Sequence, residues 1–239
     1  MKAILDVHTH TVMSGHAYST IQEMAQAAAM KGLKVLGITD HGPAMPDACH
    51  PMYFRNFGII PRELYGVKIL MGAELNILDY TGALDFEEED IDKLDIRIAG
   101  IHRRCYQKGS IEENTTGMIN VIKNKKIDII SHPADGTAEL LFEPIVLASK
   151  EYGTVLEINN SSLNPDRKKE FARSNNLEVL RLCKKYEVPI IMGSDAHISF
   201  DVGRHERVLE LIQEAEFPDE LILNDKIDEL YRILSLHNG

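Results

Sequence analysis

An α/β fold of parallel strands alternating with helices is what the sequence predicts, and three observations carry it. Short apolar, β-branched runs recur seven times along 239 residues. Stretches of helical periodicity separate them. The runs are hydrophobic throughout, as in Val188-Pro189-Ile190-Ile191-Met192, which suits a strand covered on both faces. Seven consecutive strand–helix units suggest a (β/α) barrel. A doubly wound open sheet has the same periodicity and stays open at this point.

In chain order, strands are expected at residues 3–7, 35–39, 67–71, 96–101, 127–131, 154–158 and 189–192. The helix at 21–31 carries Ile21, Met24, Ala25 and Ala28 on one face and ends at Gly32. A helix at 115–125 has Asn114 as its expected N-cap, and one at 142–152 ends at Gly153. For a helix at 176–186, Asn175 and Glu178 have capping-box spacing. Helices at 202–215 and 225–234 complete the series, the last amphipathic enough to cover its own barrel or meet another copy of the chain.

The length fits one domain, residues 1–239, and 44% apolar residues suffice for a sizeable core. Lys and Arg number 26 against 37 Asp and Glu, leaving a formal charge of −11. That surface repels nucleic-acid backbones and anionic lipid, so neither is expected as a general partner. There is no run of 18 apolar residues, and the apolar start is stopped by Asp6, too soon for a signal-peptide core. Cys49, Cys105 and Cys183 form no CxxC pair, which suits a reducing cytoplasm.

The ten histidines are the informative anomaly. His8 and His10 follow the first strand, and His16 lies in the loop beyond. Asp40 and His41 follow the second strand and Glu74 the third. His102 and His132 end the fourth and fifth; Asp195 and His197 follow the seventh. Parallel α/β folds bring the carboxyl ends of their strands to one rim. Seven imidazoles and two carboxylates therefore converge there. Unbound, such a cluster either repels itself when protonated or leaves buried nitrogens unsatisfied. Divalent cations resolve both problems, and this donor set favours Zn, Mn or Fe over Mg or Ca. Nine donors suit two or three ions with a bridging carboxylate. Asp40 reads as a partner that orients an imidazole. Arg103 and Arg104, just past the fourth strand, read as candidates to grip phosphate or as surface charges. His50, His205 and His237 read as ordinary polar residues.

His8-Thr9-His10, Thr39-Asp40-His41, Gly72-Ala73-Glu74, Ser131-His132-Pro133 and Ser194-Asp195-Ala196-His197 resemble the motifs of the PHP (polymerase and histidinol phosphatase) superfamily. The chain's short length and its Gly-Ser-Asp-Ala-His stretch are most similar to the YcdX-like branch of stand-alone phosphatases. The resemblance implies a distorted seven-stranded (β/α)7 TIM-like barrel with a trinuclear site at the C-terminal ends of the strands. The metal is usually zinc, up to three ions per chain, with manganese or iron in some members. It implies one ion on His8, His10, Glu74 and Asp195, a second on Glu74, His102 and His132, and a third on His16, His41 and His197. One departure is Gly100-Ile101-His102, where many relatives carry a small polar residue two before the histidine. The resemblance to this branch also implies a homo-oligomer such as a trimer.

The expected reaction is hydrolysis of a small molecule's phosphomonoester by a metal-activated water, with Glu74 and Asp195 as the catalytic carboxylates and Asp195 also a candidate proton acceptor. A PHP-type phosphodiesterase or nuclease and an amidohydrolase-like metallohydrolase are the alternatives. Cys49-x5-Arg55 has the spacing of a cysteine-phosphatase loop but contains no glycine and one proline. Asp90-Ile91-Asp92 lies in an acidic run and reads as a solvated helix start.

Overall fold

In the computed structural model, which describes residues 2–236, seven parallel strands follow one another round a barrel. They are β1 (Leu5–Asp6), β2 (Val35–His41), β4 (Val67–Ile77), β5 (Ile96–Ile101), β6 (Ile129–Ile130), β7 (Val155–Asn159) and β8 (Ile190–Gly193). A short strand β3 (Glu63–Leu64) pairs antiparallel with β4 at its start. The barrel closes between β8 and β1 without a regular ladder. At the carboxyl ends, the His10 N–H donates to Ala196 O at 2.8 Å and the Asp195 N–H to His8 O at 3.0 Å. At the other end, the buried Asn224 side chain fills the gap. Its Oδ1 accepts from Met192 N at 2.7 Å, and its Nδ2 donates to Met192 O and Leu5 O at 2.8 and 3.3 Å.

Alternation along the strands divides the core. Leu5, Val35, Leu70, Ile96, Ile98, Ile129, Val155 and Ile191 form one apolar cluster, which also takes Leu223, Leu230, Ile233 and Leu234. Three of these come from helix α8 (Ile227–Leu236), so its apolar face is spent on its own barrel. The opposite strand faces, such as Leu36, Ile38, Ile69, Met71 and Ile158, pack with Met24, Ala25, Ile145 and Leu180 of the surrounding helices. At about 25 cal/mol per Å² of apolar area, both clusters are major contributors to stability. Deep in the structure Arg97 makes a fork on Asp128, with Nε to Oδ2 and Nη2 to Oδ1 both at 2.9 Å.

Element boundaries depart from expectation where local chemistry intervened. Strand β4 continues six residues past Met71, so Glu74 lies inside it, and His41 is the last residue of β2. Gly72 explains the early stop in the reading: a Cβ there would fall on the Ile96 backbone, so close strand packing requires glycine. Helix α1 (Ile21–Met30) begins with a capping box of Thr20 and Glu23. The two short helices α2 (Met52–Arg55) and α3 (Glu88–Ile91) follow. Helix α4 (Ile111–Ile122) is capped by Ser110 with Glu113, not by Asn114, whose Oδ1 accepts from Tyr106 Oη and Gly109 N. Helix α5 (Phe142–Tyr152) ends at Gly153 as expected. Helix α6 (Ala172–Tyr186) starts before the expected Asn175 cap, and α7 (Glu206–Glu214) is shorter than 202–215. Among the described residues no helix is long and apolar enough to cross a membrane. His237 lies outside the described residues.

Candidate metal centre

Glu74 sits on the inward face of β4, fully buried, paired across the ladder with His41 of β2 and Ile98 of β5. Its two oxygens face different imidazoles. Oε2 lies 3.4 Å from His8 Nε2, 3.5 Å from His10 Nε2 and 2.9 Å from His41 Nδ1. Oε1 lies 3.2 Å from His102 Nε2 and 2.8 Å from His132 Nε2, and accepts the Ser131 hydroxyl at 2.7 Å. Asp195 Oδ1 is 3.7 Å from His8 Nε2 and 3.2 Å from His10 Nε2, and these two nitrogens are 3.1 Å apart.

These distances allow a fit test. An ion with ligands at about 2.0–2.1 Å in a tetrahedron separates its donor atoms by about 3.3–3.4 Å. Five of the six edges among His8 Nε2, His10 Nε2, Glu74 Oε2 and Asp195 Oδ1 measure 3.1 to 3.7 Å. The donors fit a single ion. The rest of the cluster is less cleanly partitioned. His16 Nε2 meets His197 Nε2 at 3.1 Å, and the His16 ring stacks on His41 with centroids 5.1 Å apart. His41 also groups with His10 and His197, and separately with Glu74 and His102, each set within 4.8 Å. All nine expected residues therefore converge, with His41 between groups. Glu74 Oε2, His41 Nδ1 and both ring nitrogens of His102 are buried without an aligned hydrogen bond. Such orphaned donors and acceptors are costly, and a cation among them removes the cost.

A supporting layer fixes the rings. Glu157, inward on β7, accepts from His8 Nδ1 at 2.7 Å through Oε1; its Oε2 accepts the His132 N–H at 2.7 Å and Asn159 Nδ2 at 3.0 Å. Gly193 across the ladder makes room, since a Cβ there would fall on Glu157 Oε1. Among the described residues Asp40 touches no imidazole directly. It accepts from Thr11, Ser14 and Tyr53, and Ser14 Oγ in turn lies 3.1 Å from His10 Nδ1. His197 Nδ1 faces Asp195 O at 3.0 Å. With Nδ1 of His8, His10 and His197 engaged in this way, Nε2 keeps its lone pair for an ion. Asp195 (φ 53°) and His132 (φ 32°) hold left-handed backbone conformations, strain of the kind that collects at functional sites.

Electrostatics set the protonation states. Burial alone would raise the Glu74 carboxyl, but His102, His8, His41 and His132 outweigh it and hold it well below the usual range. Asp195 is likewise held down, against burial, by His8, His10 and His197. Burial drives His41 down to about 4, against the pull of Glu74, so its ring is neutral and a competent donor at pH 7. His8 goes the other way: without an ion, Glu157, Glu74 and Asp195 overcome burial and favour a second ring proton, which an ion on Nε2 would replace.

The family model of the PHP domain matches residues 6–238. This chain belongs to the PHP domain family. It is 46% identical over 224 residues to a probable phosphatase of Clostridium novyi, covering 94% of this chain and 91% of that protein. A probable phosphatase of Acetivibrio thermocellus is 46% identical over 229 residues, covering 96% and 94%. The fold is shared with histidinol phosphate phosphatase of Lactococcus lactis, solved with zinc, L-histidinol and phosphate. That likeness has a TM-score of 0.62 at 20% identity, covering 91% of this chain and 95% of that one.

In this PHP domain the cluster opens into a cavity of about 850 Å³. Arg103 and Arg104 line it, as do Lys108, Arg167, Lys168 and Lys169. The sequence alone singled out neither these last four nor Glu157. A signal for Glu157 existed: a carboxylate inside the apolar run Val155-Leu156-Glu157-Ile158 must find a buried partner.

Other readings resolve against catalysis. Arg55 Nε donates to both oxygens of Asp90 at 2.9 and 2.8 Å, so no cysteine-phosphatase loop forms. The Cys49 thiol is pushed up to about 12 by burial and Asp40, far from a nucleophilic thiolate. Asp90 does lie in a helix, α3, yet it is buried and paired rather than solvated. His50 accepts from Met52 N, and buried His205 lies 3.9 Å from Asp6, both outside the cluster.

Proposed function

We propose that this PHP domain is a metal-dependent phosphatase that hydrolyses phosphomonoesters of small molecules. The observation that carries the reading is Glu74, whose two oxygens address two sets of imidazoles, as a bridging carboxylate requires. The names of the bacterial relatives support the activity. One ion would sit on His8, His10, Glu74 and Asp195, a second on Glu74, His102 and His132, and a third on His16, His41 and His197. Zinc suits the tetrahedral spacing, and manganese or iron suits the same nitrogen and oxygen donors. When bound, the ions would polarise phosphoryl oxygens and lower the pKa of water.

The chain's own residues would do the rest. Glu74, 0% exposed, reaches imidazoles and the Ser131 hydroxyl and would hold the donor sets together; of the two, Asp195, with its side chain 13% exposed, is the carboxylate that reaches the cavity. Proton transfer is therefore assigned to Asp195, which its imidazole neighbours keep ionised. Arg103 and Arg104 would orient the phosphoryl group from the rim. The whole chain would act as one catalytic domain in the cytoplasm, where its three cysteines stay as thiols. Any homo-oligomer, including a trimer, would have to use a surface other than the apolar face of α8.

The test is elemental analysis of protein purified without chelator, joined to hydrolysis of p-nitrophenyl phosphate and bis-p-nitrophenyl phosphate. Two to three transition-metal ions per chain and preference for the monoester are expected. Preference for the diester, or metal-free protein that takes up neither zinc nor manganese, refutes the reading.

A further inference from the structure

The cavity is far more basic than the protein. Six of its 21 lining residues are Lys or Arg, against 26 of 239 in the chain, whose formal charge is −11. One of the six, Lys169, is neutralised by an ion pair with Asp135. Among the described residues Arg103, Arg104, Lys108, Arg167 and Lys168 carry no ion pair. Two acidic residues, Asp47 and Glu170, remain on the walls outside the metal cluster and that pair.

The free cations stand in two sectors. Arg103, Arg104 and Lys108 follow β5. Arg167 and Lys168 follow β7, on a turn that is built rather than loose. Asn164 caps the 3-10 helix Pro165–Arg167 by accepting the Asp166 N–H, and Lys168 holds a left-handed φ of 52°. The next residue, Lys169, is tied to Asp135 across the cavity wall. Arg167 and Lys168 line the same cavity as His16, Asp195 and His197, so this turn shares the space into which the cluster opens.

One phosphoryl group carries a charge of about −2, less than the five cations without an ion pair around this cavity. Bringing like charges together on an otherwise acidic protein is unfavourable unless an anion joins them. We infer that the cavity selects substrates with a second anionic group, a phosphate or a carboxylate, which the Arg167–Lys168 turn binds while the scissile phosphate occupies the metal centre. The inference rests on the phosphatase reading above. It also disfavours substrates whose far end is cationic, such as amino-alkyl phosphates.

The experiment uses metal-loaded full-length protein and matched esters. The probes are the mono- and bisphosphates of propane-1,3-diol and hexane-1,6-diol, the phosphate ester of 3-hydroxypropanoate, and 3-aminopropyl phosphate. Having two scissile groups gives a bisphosphate a twofold advantage. A second anion held by two cations should raise kcat/KM by about tenfold or more, mainly through KM. Advantage of the bisphosphate identifies a second phosphate; advantage of the carboxylate ester alone identifies a phospho-acid. The amine ester should fall below the plain monoester. The preference should shrink with added salt in the wild type, and Arg167→Ala with Lys168→Ala should reduce it towards twofold. A bisphosphate advantage of no more than about twofold at both spacer lengths, with no gain from the carboxylate, overturns the inference and leaves the phosphatase reading intact. A preference unchanged in the double variant overturns it as well. Failure to hydrolyse any ester overturns the phosphatase reading, and this inference with it.

Discussion

Glu157→Gln is the perturbation that tests the supporting layer most directly, because it changes one atom and no volume. Glu157 has two tasks that a carboxylate alone can combine. Oε1 accepts from His8 Nδ1, and Oε2 accepts from the His132 N–H and Asn159 Nδ2. An amide has only one acceptor oxygen. If that oxygen stays on the His132 N–H, the amide NH₂ points at His8 Nδ1. His8 must then accept there and carry its proton on Nε2, the nitrogen that lies 3.1 Å from His10 Nε2 and 3.4 Å from Glu74 Oε2. That nitrogen no longer offers a lone pair to an ion. If the oxygen turns to His8 instead, the NH₂ meets the His132 N–H, donor against donor.

Either arrangement has a cost that can be bounded. Loss of a partner that orients a ligating histidine weakens metal binding by about 10–100-fold, or roughly 1.4–2.8 kcal/mol. Leaving one buried donor mismatched costs about 1–3 kcal/mol of stability. For a domain of this size that lowers the Tm of the metal-free protein by roughly 2–10 °C. The assay is competition for zinc against a chromophoric chelator, with thermal unfolding of the stripped protein beside it. Weakening of one ion's binding, with the others less affected, is expected. Wild-type affinity at every site in the Gln variant would show that Glu157 is packing and nothing more.

Three further outcomes follow from the same geometry. Cys49→Ser should change phosphatase activity less than about threefold, because a thiol raised to about 12 is not a nucleophile; chelator should abolish activity and added metal restore it, and a thousandfold loss in the metal-loaded variant would reinstate the cysteine. Asp128→Ala should cost about 3–5 kcal/mol in urea unfolding, since it takes the carboxylate fork from the Arg97 guanidinium, 1% exposed; a change below about 1 kcal/mol refutes that account. For His41, burial lowers the folded pKa to about 4, while the unfolded ring titrates near 6.5. The unfolded state therefore binds the extra proton, and metal-free stability falls as pH drops from about 6.5 to about 4, by about 3 kcal/mol from this residue. His41→Gln should remove that part of the slope, and an unchanged slope contradicts it.

The histidines were legible because the inference needed only strand order. In a parallel barrel, residues at the carboxyl ends of successive strands meet whatever lies between them. His8 and Asp195 come within 3.7 Å although the sequence keeps them far apart. Strand lengths were less legible. Gly72 and Ala73 interrupt the β-branched run, yet β4 continues through them because the barrel supplies Ile96 to pack against that glycine. The cap of α4 was misread for a related reason. Asn114 is a good cap by composition, but Tyr106 and the Gly109 N–H occupy it, and Ser110 stands one turn earlier.

What escaped the sequence was everything defined by a partner rather than by a strand end. Glu157 lies 149 positions from His8 and 25 from His132, and nothing in its own neighbours says which it will serve. Arg167, Lys168 and Lys169 are three adjacent cations in a connecting segment, a pattern that ordinarily means a solvated loop. Only the fold puts them round the same cavity as Arg103 and Arg104. The division has a consequence for function. The residues at the strand ends meet because the barrel itself places them. The residues on the rim loops are free to vary without disturbing it. On the proposed reading the metal centre would set the reaction, and the basic turn after β7 would set which molecule undergoes it.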